Sequence, residues 1–314
     1  MKVALALGGG SVRGFAHLGV IEALKDSGID FDFIVGTSAG GIVAALYALN
    51  LDTRKCYEIL ENAAKSDVVR EMRLESYKFN PSHEDEEGRI QKFLNTIRGT
   101  MLLHKSMTHL SMVEEQTINR FFRLIFPDDL SFEDLKLPVS VVALDLITGR
   151  DVVIGRGKVI PAVRATSAIP GLLPPVMLDG MMLVDGGTTQ KVPVESAYLL
   201  GADTVIAVDV GRDPLPEDPL NSGLEVMWRA EDWSNHRLHL KQLSLADVVI
   251  KPDISHINWY DTDSTDFLFQ EGYNAAMKKI NDIKKAVSGG IFSRIFKRRK
   301  RIYSEPIGKY VIIT

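Results

Sequence analysis

The chain has 314 residues, 45% of them apolar and 25% charged, a make-up that fits a globular fold with a sizeable core and excludes a disordered or fibrous chain. No apolar run approaches the eighteen residues needed to cross a bilayer, and a single cysteine, Cys56, excludes an intrachain disulfide or a thiolate metal cluster. The net charge of −4 conceals a division: residues 278–301 carry ten Lys or Arg against one acid, Asp282, so the remainder is strongly acidic.

A lone thiol favours a reducing compartment, so a cytoplasmic protein is expected. The opening "MKVALALGGG" is too short an apolar run for a secretory signal, and Val3 to Leu7 reads as a first strand. A glycine loop follows, then "FAHLGVIEALKDSG", where Phe15, Leu18, Ile21 and Leu24 recur on one helical face and Gly28 stops the helix. "FDFIV" is a second buried strand. It runs into "GTSAG" and then a helix apolar on all sides. Strand–helix–strand–helix order predicts a mostly parallel sheet covered on both faces, a three-layer α/β/α fold.

Residues 52–130 read as a helical insertion beside the second turn, a candidate lid, with Ser111 and Glu114 as a capping box. Its acidic stretch "NPSHEDEEGR" is a solvated loop rather than a cation site. Sheet signals resume with "LPVSVVALDL", "TGR" and "DVVI" as a hairpin, then "MMLVDGG", "DTVIAVDV" and "DVVIKPD" as further strands. A last helix runs from about Thr265 with Phe269, Ala276, Ile280 and Ile283 on one face, and "SGG" ends it. The expected division is a domain over 1–288 and a basic tail over 289–314.

Three glycine turns end three of these strands: "GGGSVRG" at 8–14, "GTSAG" at 36–40 and "DGG" at 185–187. In open α/β sheets ligands gather beyond the carboxyl ends of parallel strands, so such turns can converge. Their chemistry is complementary. Ser38 sits on a sharp strand-to-helix turn where Gly36, Ala39 and Gly40 leave room for an exposed hydroxyl. Asp185 is an available base, and the glycine loop offers amides that no side chain crowds.

This combination resembles the patatin-like phospholipase family over roughly residues 3–210. The match rests on "GGGSVRG", "GTSAG", "DGG", and the flanking "RGFAHLGVIEAL" and "AVRATSAIPGLLPPV". The resemblance implies a patatin-like fold and a Ser–Asp dyad without histidine, acting on lipid esters such as phospholipids or lysophospholipids through an acyl-enzyme. Ser38 would be the nucleophile and Asp185, followed by Gly186 and Gly187, the base. Gly8, Gly9 and Gly10, with Arg13, would hold the oxyanion. No cofactor or metal is implied. Two positions depart from the family: Ser11 stands where the loop has glycine, and Gln190 or Lys191 where an asparagine is common.

His17 reads as a packed histidine, and His236 with His239 as a pair lacking a carboxylate partner; Asp145 and Asp209 read as turn or cap residues. A nucleotide-binding module would need an acid at the end of the second strand, where Gly36 to Gly40 stand instead. A non-catalytic membrane-surface or scaffold protein on the same fold is the other alternative. In the tail, Phe292, Ile295 and Phe296 form an apolar edge beside Arg294, Lys297, Arg298, Arg299, Lys300 and Arg301. That arrangement predicts peripheral contact with an anionic inner membrane face rather than nucleic acid.

Overall fold

A computed structural model describes residues 1–72, 109–213, 220, 223–288 and 310–313. Its centre is a nine-stranded sheet. Strands β1 (Val3–Leu7), β2 (Phe33–Thr37), β3 (Val139–Asp145) and β7 (Thr204–Val208) are buried at every position. That is the pattern of strands covered on both faces. β1 pairs in parallel with β2 and β7, and β2 with β3. β8 (Val248–Ile250) adds to β7 in parallel. β4 (Asp151–Ile154) returns antiparallel to β3 across the "TGR" turn, as the hairpin reading expects. The β5–β6 hairpin (Val176–Leu178 and Met181–Asp185) joins the same strand, with β6 antiparallel to β3.

Alternation along each strand sorts the core into two layers. Leu5, Leu7, Ile34 and Val141 face one side and pack against α1 (Phe15–Asp26), α2 (Ala39–Asn50), α3 (Thr53–Ala64), α5 (Glu115–Ile125), α6 (Val159–Thr166) and α9 (Thr265–Ser288). Ala4, Ala6, Val35 and Val142 face the other side and meet α7 (Val194–Leu199) and Leu243 at the end of α8 (Gly223–Leu243). Each fully buried aliphatic side chain contributes about 1.5–3 kcal/mol. The three-layer α/β/α architecture is the one expected. A short α4 (Asp67–Met72) follows α3.

Helices α1 and α9 approach closely because glycine stands on both. A Cβ on Gly19 would lie 1.9 Å from the Phe269 carbonyl oxygen, and one on Gly272 would lie 1.9 Å from that of Ala16.

Three expectations need correction. α5 begins one residue after Glu114, which is itself the N-cap, while the Ser111 hydroxyl donates to the Val113 carbonyl and caps no helix. Extended backbone at Glu114 starts the helix later than the spacing implied. Tyr310–Ile313, assigned to the tail, form β9 and pair in parallel with β4. The "YVII" run is β-branched and apolar enough to extend a sheet edge. His239 does have a carboxylate partner, Asp209. The acidic stretch 80–89 and the basic segment 291–301 lie outside the described residues.

Candidate active site

The elbow is built from backbone crowding. A Cβ on Gly36 would lie 2.5 Å from the Gly40 carbonyl carbon, and one on Gly40 would lie 2.2 Å from the Leu7 carbonyl oxygen. With both side chains absent, α2 starts directly against the ends of β1 and β2. Ser38 between them has φ 53° and ψ −124°, a conformation that costs on the order of 1–3 kcal/mol. Two contacts hold it there. The Ser38 N–H donates to Thr166 Oγ1 at 2.9 Å, and that hydroxyl donates to the Val142 carbonyl at 2.5 Å. Thr166 comes from "AVRATSAIPG"; nothing in the motif itself marked it.

Strand register brings Asp185 to Ser38. Thr37 lies opposite Val142 on β3, and Asp185 lies opposite the next residue, Ala143. Ser38 and Asp185 therefore leave neighbouring positions at one end of the sheet. The Asp185 carboxylate accepts from the Gly187 N–H at 2.7 Å and lines the same cleft as the Ser38 side chain. Burial raises its pKa from 3.8 to about 6, with the nearby Ser38 hydroxyl and the Gly187 amide opposing the rise. The shift moves Asp185 towards the range in which a carboxylate can accept a proton near neutral pH.

The turn after Asp185 is tied down by side chains that the motif does not reveal. Thr37 Oγ1 donates to the Gln190 carbonyl at 3.0 Å, linking the elbow to this turn. Gln190 Nε2 donates to buried Asp151 on β4 at 2.8 Å, and the Thr189 hydroxyl donates to the other oxygen of the same carboxylate. Gln190 Oε1 accepts from Ser196. Gln190 is therefore a buried strut.

The glycine loop lies over Ser38. A Cβ on Gly9 would approach Ser38 Cβ to 3.2 Å, so glycine there keeps the hydroxyl open. The Gly8 N–H donates to Val208 O at 3.0 Å and the Gly9 N–H to Lys191 O at 2.9 Å. Both amides are committed, which corrects the expectation that all three glycines face an oxyanion. The Gly10 N–H has no backbone acceptor among the described residues. Arg13 is 8% exposed and holds the Gly10 carbonyl through its own N–H at 3.2 Å and Nε at 3.4 Å. Ser11, the departure from glycine, has φ 53° and stays in the left-handed region that glycine would favour.

His17 is packed, as expected, and has a task. Its Nε2 lies 2.8 Å from the Gly8 carbonyl, and burial lowers its pKa to about 4, so the neutral ring donates there and steadies the loop. Asp145 caps the β3–β4 turn through Thr148 and the Ile147 amide. Asp209 accepts from Gly211 N–H and pairs with His239 Nε2, both at 3.0 Å.

Together Gly9, Gly10, Arg13, Ser38, Asp185 and Gly187 line a cleft of about 580 Å³. Gly8, Gly36, Ala39, Gly40 and Gly186 form the backbone behind it. One wall comes from α8, and Trp259 closes another side. Neither contribution was foreseen, because both lie far from the motifs in sequence.

A serine on a strained strand-to-helix turn, with a buried carboxylate beside it at the end of a largely parallel sheet, is the arrangement of the α/β-hydrolase elbow. The patatin-like phospholipase profile matches residues 5–198. The chain belongs to the patatin-like phospholipase family. It is 30% identical over 252 residues to Lysophospholipase NTE1 of Yarrowia lipolytica, covering 78% of this chain and 15% of that protein. It is also 30% identical over 263 residues to human patatin-like phospholipase domain-containing protein 6, covering 81% of this chain and 16% of that one. The chain therefore spans only a small part of those relatives. Among solved structures, VipD from Legionella pneumophila aligns with a TM-score of 0.46 and 15% identity over 89% of this chain and 66% of that one.

Proposed function

We propose that the protein hydrolyses acyl esters of lysophospholipids or phospholipids through a Ser38–Asp185 dyad. The observation that carries this reading is the buried Asp185 carboxylate, brought by strand register to the same cleft as the serine that a strained turn presents there. Ser38 Oγ attacks the ester carbonyl while its proton passes to Asp185. The tetrahedral oxyanion is met by the Gly10 N–H, and the positive end of α2 adds favourable potential. Arg13 holds the Gly10 carbonyl, which belongs to the next peptide, and so restrains Gly10 from its C-terminal side. On collapse the C–O bond breaks and Asp185 returns the proton to the leaving alcohol. Water then attacks the acyl-enzyme, gives its proton to Asp185, and releases the fatty acid as Ser38 recovers its hydrogen. The lysophospholipase relatives support the lipid class.

Ser38→Ala and Asp185→Asn should each lower turnover of a soluble short-chain ester by at least about 1000-fold, with the double variant no worse than either single one. Fluorophosphonate should label the wild type at Ser38. Turnover should fall below about pH 6 as Asp185 takes up its proton. Near-normal turnover by Asp185→Asn would overturn the dyad.

A further inference from the structure

The cleft holds more positive charge than the dyad uses. Arg13, Lys191 and Arg212 all line it. The half-buried Lys191 places its Nζ 3.0 Å from the Arg212 carbonyl, which brings the two segments together. Asp232 also lines the cleft, on the α8 wall, but the carboxylates that act on Arg13 and Lys191 are Asp209 and Asp213, and both are occupied. Asp213 takes the Lys251 ammonium at 2.8 and 2.9 Å, and Asp209 takes His239 and the Gly211 amide. Among the described residues, neither Arg13, Lys191 nor Arg212 has a carboxylate within ion-pairing distance.

These cations also feel one another. Burial lowers the pKa of Arg13, and Arg212 lowers it further; burial lowers that of Lys191 and Arg13 adds to this, with Asp209 opposing. Clustered like charge beside a cleft is costly unless an anion enters. A second observation lies on the α8 wall. Gln242 is 2% exposed and lines the cleft, yet neither its Nε2 nor its Oε1 has a hydrogen-bond partner among the described residues. Leaving a buried amide unmatched is unfavourable, which is expected of a group that serves a ligand.

We propose that Arg13, Lys191, Arg212 and the Gln242 amide form a subsite for a phosphate ester, so that the cleft selects acyl esters carrying a phosphate headgroup. This rests on the acyl-hydrolase reading and identifies the residues that would hold the phosphate of such a substrate. Every one of the four offers N–H donors, which suit the oxygens of a phosphate, and the arginines can do so in pairs. Gln242 Oε1 adds an acceptor for a neighbouring hydroxyl. A neutral acylglycerol would leave three cations unmatched.

The test uses the full chain and three substrates: a lysophosphatidylcholine, the monoacylglycerol with the same acyl chain, and p-nitrophenyl butyrate. Lys191→Gln with Arg212→Gln should raise KM about ten-fold for the lysophospholipid and leave the other two within about two-fold. Gln242→Leu should show the same selectivity while raising Tm, because it removes an unmatched buried amide. If the site instead reads free phosphate, inorganic phosphate should alter p-nitrophenyl butyrate hydrolysis by the wild type and not by the double variant. Equal effects on all three substrates, together with no response to phosphate, would sink the subsite. If the wild type hydrolyses none of the esters, the acyl-hydrolase reading fails separately. Calorimetry with glycerophosphocholine and with inorganic phosphate then decides: binding lost in the double variant supports the subsite, and absence of binding by the wild type rejects it.

Discussion

Ser38 is held by a group that no motif names. Its positive φ is maintained by Thr166, whose hydroxyl accepts from the Ser38 N–H and donates to Val142. Thr166→Val would leave a buried donor and a buried acceptor unmatched, at a cost of about 1–3 kcal/mol each. It should lower turnover at least ten-fold and slow fluorophosphonate labelling, whereas Thr166→Ser should retain both. An equal loss in the serine variant would point to packing of the Thr166 methyl rather than to its hydroxyl. The glycine loop carries a related distinction. A side chain on Gly9 would crowd Ser38, whereas one on Gly10 would strike Val210 and disturb packing as well.

Among the elements, the sheet strands were the most legible, because burial on both faces makes each a continuous apolar run bounded by turns. The α1–α9 contact was not legible. Its two glycines look like weak points in helices, yet each lies against a backbone carbonyl of the facing helix. Gly19→Ala should force the helices apart and destabilise the protein by more than about 2 kcal/mol in denaturant unfolding. A change under about 0.5 kcal/mol would mean that the pair can slide at little cost. α8 was equally hidden: its sequence has no motif, and only packing shows that it walls the cleft. β9 lies in four residues that follow a strongly basic segment and read as part of it.

For the whole molecule, two buried groups oppose each other across one pH window. Asp185 has its folded pKa raised from 3.8 to about 6, so its ionisation costs stability, a cost absent below about pH 3.8 and complete above about pH 6. His17 has its pKa lowered from 6.5 to about 4, so stability is full above about pH 6.5 and falls as pH drops towards 4. Each amounts to roughly 3 kcal/mol, and the signs are opposite. Asp185→Asn should therefore be more stable than the wild type by roughly 2–3 kcal/mol at pH 7.5 in denaturant unfolding, a difference that closes by pH 4. A pH-independent difference would mean that Asp185 is not ionised in the folded protein. The basic tail calls for its own test. Truncation after Ser288 would also remove β9, so neutral substitutions at Lys297, Arg298, Arg299, Lys300 and Arg301 are the cleaner probe. They should reduce sedimentation with anionic vesicles and spare hydrolysis of a soluble ester; unchanged sedimentation would remove the tail from membrane contact.

The sequence by itself determined the layered α/β fold, the elbow serine and the aspartate, because each depends on local chemistry. Apolar runs make strands, and a tight turn admits only small residues beside a displayed hydroxyl. Tertiary structure alone decided which amides remain free. Gly8 and Gly9 look identical to Gly10 along the chain, but Val208 and Lys191 arrive from distant elements to claim their N–H groups. It also decided how far the pKa of Asp185 rises, since burial comes from the whole fold around it. The partner of His239 and the unmatched amide of Gln242 belong to the same kind. A hydrogen bond is a fact about two positions, and only folding says which two meet.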